Sequence, residues 1–196
     1  ELAPQPQCAA GPVPASETLS LARMISAASA ADVKGFSDRF LLSEWMNVVD
    51  AWGIETLDDY VAVQRMGRKS RLGPKQRERL WPVFAAVRAA LQTERYTTWA
   101  AVFSLLAARF AAKSAKPFDH IVIDEAQDLG PSELRFFAAI APDHADALFL
   151  AGDLGQRIFQ HPYSWKSLGV DVRGRSFTLK VCYRTSQQIR QSADLL

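Results

Sequence analysis

The sequence predicts an α/β fold in two parts: a mostly helical region over 17–116 and a parallel-sheet region over 117–196, after a Pro-rich linker over 1–16. Three observations predict it. Up to about Ala112 the apolar residues recur at helical spacing, as in Leu80, Phe84, Val87 and Leu91, or Trp99, Val102, Phe103, Leu106 and Phe110. From Phe118 onward the rhythm changes to apolar run, loop, helix. The polar stretch from Lys113 to Pro117 interrupts both patterns and marks the boundary.

Each element follows in order. The opening "ELAPQPQCAAGPVPAS" has neither an initiator methionine nor the basic-then-apolar order of a signal peptide, so it reads as a linker cut from a longer chain. Helix starts are expected at Ser16 or Thr18, Ser43, Thr56, Pro74, and Thr97 or Thr98, each able to cap or open a first turn. Pro82 should kink or restart the fourth helix. Three buried parallel strands are then expected: "HIVID" with a helix from Ser132, "ALFLAG" with a polar turn, and "FTLKVC" with a helix from Ser186.

Composition closes off several function classes. With 196 residues, 48% hydrophobic and 22% charged, the chain can bury a core, which excludes disorder throughout. A formal net charge of +2 announces no polyanionic partner, so any such surface must be local. Cys8 and Cys182 match no ligand or redox spacing and read as reduced thiols in a cytoplasmic protein. The most apolar window, "WAAVFSLLAARFAA", is shorter than the roughly 20 residues a bilayer requires, so no membrane partner is expected.

The chemistry sits at the ends of the expected strands. In a parallel sheet the loops leaving the carboxyl ends face one crevice, and Asp124 and Glu125 stand there. Such a pair either holds Mg²⁺ and polarises a water for attack on a phosphoryl group, or caps a turn in solvent. The second run, "LAGDLGQRIF", adds Asp153 and Gln156, and the third, "KVCYRTSQQI", adds Arg184. Acid and base, acid and amide, and a guanidinium on one edge are what phosphoryl transfer requires. An Arg suits the γ-phosphate because its fork pairs with two oxygens.

These residues carry a resemblance. "VIDEAQDL" resembles motif II, the Walker B element, of UvrD/Rep-type superfamily-one helicases, "LAGDLGQRIF" resembles their motif III, and "LKVCYRTSQQI" their motif IV. The resemblance implies an incomplete RecA-like parallel sheet with helices, preceded by a helical insertion like the family's subdomain 1B. It implies ATP and Mg²⁺ as cofactors: Asp124 binding the metal, Glu125 as general base, Gln156 sensing the γ-phosphate and Arg184 contacting it. It also implies single-stranded DNA, or DNA with a single-stranded tail, as partner, together with the rest of a parent helicase chain.

Motif III in that family runs on into aromatic residues over which bases stack. Phe159 stands at the expected aromatic position, and Trp165 and Lys166 follow after extra residues, so Phe159 and Trp165 read either as stacking platforms or as core. Cys182 stands where the family more often has Asn. No Gly-rich loop ending in Gly-Lys-Thr or Gly-Lys-Ser occurs, so the phosphate cradle is expected elsewhere in the parent and this chain alone should be inactive. The segment "QRMGRKSRLGPKQRER" gathers Arg65, Arg68, Lys69, Arg71, Lys75, Arg77 and Arg79 around one acid, Glu78. It reads either as a phosphate-tracking surface, with Arg68, Lys69 and Arg71 foremost, or as a solvated face. Competing functions are a helicase-like binding module that does not hydrolyse ATP, and the helicase part of a helicase-nuclease.

Overall fold

The computed structural model describes residues 17–29, 33, 35–65, 70–144, 146–153, 163–179, 181, 183 and 186–193. The helical part comprises α1 (Glu17–Ser29), α2 (Asp38–Glu44), α3 (Leu57–Ala62), α4 (Pro74–Thr93) and α5 (Trp99–Ala111). Most starts are set by local capping. Thr56 Oγ1 accepts from Asp59 N at 3.2 Å, Thr98 Oγ1 accepts from Ala101 N at 3.1 Å, and Pro74 occupies the first helical position after Gly73.

One expectation about this part is corrected and another is narrowed. α2 starts at Ser37, whose hydroxyl accepts from Phe40 N at 3.3 Å, and not at Ser43. Ser43 lies within α2, and its carbonyl and hydroxyl accept from the Asn47 amide at 2.8 and 3.3 Å. The helix continues past Glu44 as a π-helical stretch, Trp45–Asp50. α4 also runs through Pro82 without restarting. Proline removes one hydrogen bond there, but Leu80, Val83 and Phe84 are all buried around it, so tertiary packing holds both halves in one helix.

α1 to α4 enclose one core, in which Leu21, Ile25, Leu41, Trp45, Val49, Tyr60, Leu80, Phe84 and Val87 are buried. α5 buries none of its own residues fully and packs along α6 (Pro131–Ile140), with Phe103 and Phe110 rings 5.5 and 6.3 Å from Phe136. Beneath α6 lie β1 (Ile121–Ile123) and β2 (Leu148–Leu150), parallel, with Ile121 opposite Leu148 and Ile123 opposite Leu150. The observed fold is therefore mixed, helices with a small two-stranded parallel sheet, consistent with α/β.

The strand expectations need correcting as well. Both strands were expected to be buried on two faces, yet Val122 is 73% and Phe149 62% exposed on the face away from Ile121 and Ile123. The third run forms no strand among its described residues: Phe177, Thr178, Leu179 and Val181 are irregular, and Phe177 and Leu179 are over 90% exposed. Alternation encodes a strand only where a neighbouring ladder is available to pair with it. The following helix, α7 (Gln187–Ala193), does start at Ser186, whose hydroxyl accepts from Ile189 N at 3.4 Å. The linker over 1–16 lies outside the described residues. Among those described, no helix is long and apolar enough to cross a membrane.

Candidate functional site

The acid pair stands at the carboxyl end of β1, where the ladder runs on beyond the strands. Ala151 N donates to Ile123 O and Ala126 N to Ala151 O, each at 2.8 Å. Between those two bonds the chain bends through Glu125, which takes left-handed dihedrals, φ 52° and ψ 39°, into a 3₁₀ turn at Ala126–Asp128. That conformation is disfavoured by about 1–2 kcal/mol for a residue with a Cβ. Asp124 Oδ1 accepts from Glu125 N at 2.9 Å, which steadies the bend, and both side chains stay exposed.

Below them lies a residue that the sequence reading passed over. Gln127 is 3% exposed; its Nε2 donates to Glu125 Oε2 at 2.6 Å and its Oε1 accepts from Asp153 N at 3.0 Å. Gly152 makes room for it: a Cβ there would stand 2.3 Å from Gln127 Oε1. The structure thus brings Asp124, Glu125 and the backbone of Asp153 to one edge. The signal was present in "DEAQD", but the partner lies 26 residues onward and only the fold reveals it.

The other expected site residues are distributed differently. Gln156, Phe159, Arg184, Arg68 and Lys69 lie outside the described residues. Arg71 and Lys166 are exposed. Trp165 is half-buried and packs against both apolar clusters of the sheet region, so core packing accounts for much of its ring.

Two members of the basic cluster are committed internally. Arg65 clamps Glu44, which is fully buried, through Nε at 2.6 Å and Nη2 at 2.7 Å, and Tyr60 Oη donates to the same carboxylate at 2.9 Å. Arg77 Nη1 donates to the carbonyls of Tyr60, Val61 and Val63, closing the end of α3. Burial, and then the charge of Glu44, push the Tyr60 phenol well above its ordinary range, while burial followed by the Arg65 charge lowers Arg77. A cleft of about 620 Å³ opens between Asn47, Trp52 and Gln64 on one side and Ser132, Glu133 and Tyr163 on the other. None of the strand-end acids lines it.

The donor set at the β1 edge fits Mg²⁺ in one specific way. Among the described residues no group of three or more His, Cys, Asp or Glu side chains is placed to hold a metal by itself. Mg²⁺ is commonly bound by one or two carboxylates, with phosphates and water completing the octahedron, and an exposed aspartate at a strand end matches that demand.

Residues 86–167 match the UvrD/REP helicase N-terminal domain. The match supports a UvrD/Rep-type helicase fragment. The matched residues run from within α4 to the 3₁₀ turn at Lys166–Leu168, so they include α5, both strands, the acid pair, Gln127 and Asp153. No curated protein and no solved structure matches the chain. The match supports a helicase-type function; proteins of this type bind nucleotide and DNA and generally use ATP with Mg²⁺.

Proposed function

We propose that the chain supplies the Walker B, motif III and motif IV residues of an ATP-dependent DNA helicase, on part of a RecA-like sheet, with 17–116 as a 1B-like helical subdomain. The observation that carries this reading is the placement of Asp124, Glu125 and Asp153 at one carboxyl edge of a parallel sheet inside the matched segment. ATP with Mg²⁺ supplies the phosphoryl group and the charge that polarises it. Asp124 holds the metal. Glu125 takes the proton from the attacking water, Gln156 reads the γ-phosphate and Arg184 spreads its developing charge. Phe159 and Trp165 stack bases of a single strand, while Lys166, Arg68, Lys69 and Arg71 meet its phosphates.

The second reading is a DNA- or partner-binding module without turnover. The two readings separate in the intact helicase polypeptide carrying these residues. Glu125→Gln there is expected to bind ATP as before but to lose hydrolysis, because an amide cannot take the proton. Arg184→Ala should slow hydrolysis by roughly 3 to 5 orders of magnitude if it acts as an arginine finger does. Wild-type turnover in either variant would overturn the assigned role, and a parent without any turnover would favour the binding module.

A further inference from the structure

We infer that Gln127, seated on Gly152, is a positioning residue that aims Glu125 and locks it to the end of β2; this rests on the general-base reading of Glu125. The two hydrogen bonds fix the amide's orientation. Asp153 N–H can only donate and therefore takes the amide oxygen, at 3.0 Å; the Glu125 carboxylate can only accept and therefore takes the amide nitrogen, at 2.6 Å. At 3% exposure the amide has little water to fall back on, so both bonds are held. Gln127 neither gains nor loses a proton. It pins Glu125 Oε2 and leaves Oε1 outside that bond for the water.

The same amide makes the carboxylate sensitive to β2. Any shift of the backbone at Asp153, which begins the motif III segment, is transmitted through one rigid amide to Glu125. Gly152 is part of the device. A Cβ at that position would meet Gln127 Oε1 at 2.3 Å, with the backbone nitrogens of Ala126 and Gln127 at 3.0 and 3.2 Å blocking an easy retreat.

Three variants of the intact helicase polypeptide test this. Gln127→Met and Gly152→Ala should each lower kcat for ATP by up to about 100-fold, the scale of a 1 Å misplacement, with KM for ATP little changed. Gln127→Glu keeps an acceptor for Asp153 N–H but sets a second carboxylate against Glu125. The like charge pushes Glu125 off its aim while the bond to Asp153 N–H is kept. Its kcat should therefore fall as that of Gln127→Met does, with KM for ATP again little changed. Amide hydrogen exchange at Asp153 gives a readout independent of turnover: protection should be lost in Gln127→Met and retained in Gln127→Glu. If Glu125→Gln abolishes hydrolysis while Gln127→Met and Gln127→Glu turn over like wild type, the positioning role is wrong and the general base stands. If Glu125→Gln itself hydrolyses normally, the general-base reading has failed, whatever Gln127 does. If Gln127→Met does not fold, the turnover of Gln127→Glu decides: a wild-type kcat overturns the inference.

Discussion

Arg65 shows how a residue's chemistry can be legible while its use is not. In the sequence it is one of seven cations gathered beside two glycines, a pattern that suits a phosphate backbone as well as it suits a solvated face. In the fold its side chain is 4% exposed and forks onto a carboxylate with no exposure at all, 21 residues away. A buried charge that loses its partner is costly, so Arg65→Met should destabilise the protein by about 3–5 kcal/mol. Tyr60→Phe, which removes only one neutral donor from the Glu44 carboxylate, should cost less, about 1.5–3 kcal/mol. Urea midpoints of the two variants check this; a loss below about 1 kcal/mol for Arg65→Met would mean that Glu44 finds another partner or water. Gln127 is the opposite case. Its contact with Glu125 is two residues long, but its meaning depends on a strand that returns 26 residues later.

At the scale of elements, what could be read was what is written locally. Thr56, Pro74, Thr98 and Ser186 start helices because each needs only its own hydroxyl or ring and the next turn. Ser43 failed because Ser37 offers the same hydroxyl one turn and a half earlier, and buried Leu41 and Glu44 draw the intervening residues into the core side of α2. The third strand, absent among the described residues of its run, failed for a related reason, since pairing is a property of two segments and "FTLKVC" states only one. Thr98 joins both scales: its Oγ1 caps α5 and donates to Asp50 Oδ1 at 2.7 Å, and the residue is 2% exposed. Thr98→Ala should therefore cost about 2 kcal/mol, the upper end for a cap, and Thr98→Ser should restore most of it. Equal stability of the two variants would show that the hydroxyl is not the source.

For the whole molecule, the question is what holds the helical core to the sheet that carries the candidate site. Trp52 packs against both the core of α1 to α4 and the cluster of Leu134, Tyr163, Leu168 and Val170. Its ring lies edge-on to Tyr163 at 6.4 Å and beneath the Arg135 guanidinium at 5.2 Å, and its carbonyl accepts from Arg135 Nη1 at 2.8 Å. Burial already lowers the Arg135 pKa, so the ring face is part of what compensates a desolvated cation. Trp52→Ala keeps the backbone carbonyl and its bond to Arg135 but deletes the shared ring, which isolates the ring's contribution. The expected loss is about 2 kcal/mol, below the 3–5 kcal/mol of a fully buried tryptophan because this one is half-buried. Its distribution matters more than its size. Hydrogen exchange should report one common opening free energy for α4 and α6 in the wild type and two different ones in Trp52→Ala, with Trp52→Phe in between because it keeps an aromatic edge for Tyr163. If α4 and α6 still exchange together in Trp52→Ala, the join is made elsewhere, and the packing of α5 along α6 is the contact to remove next.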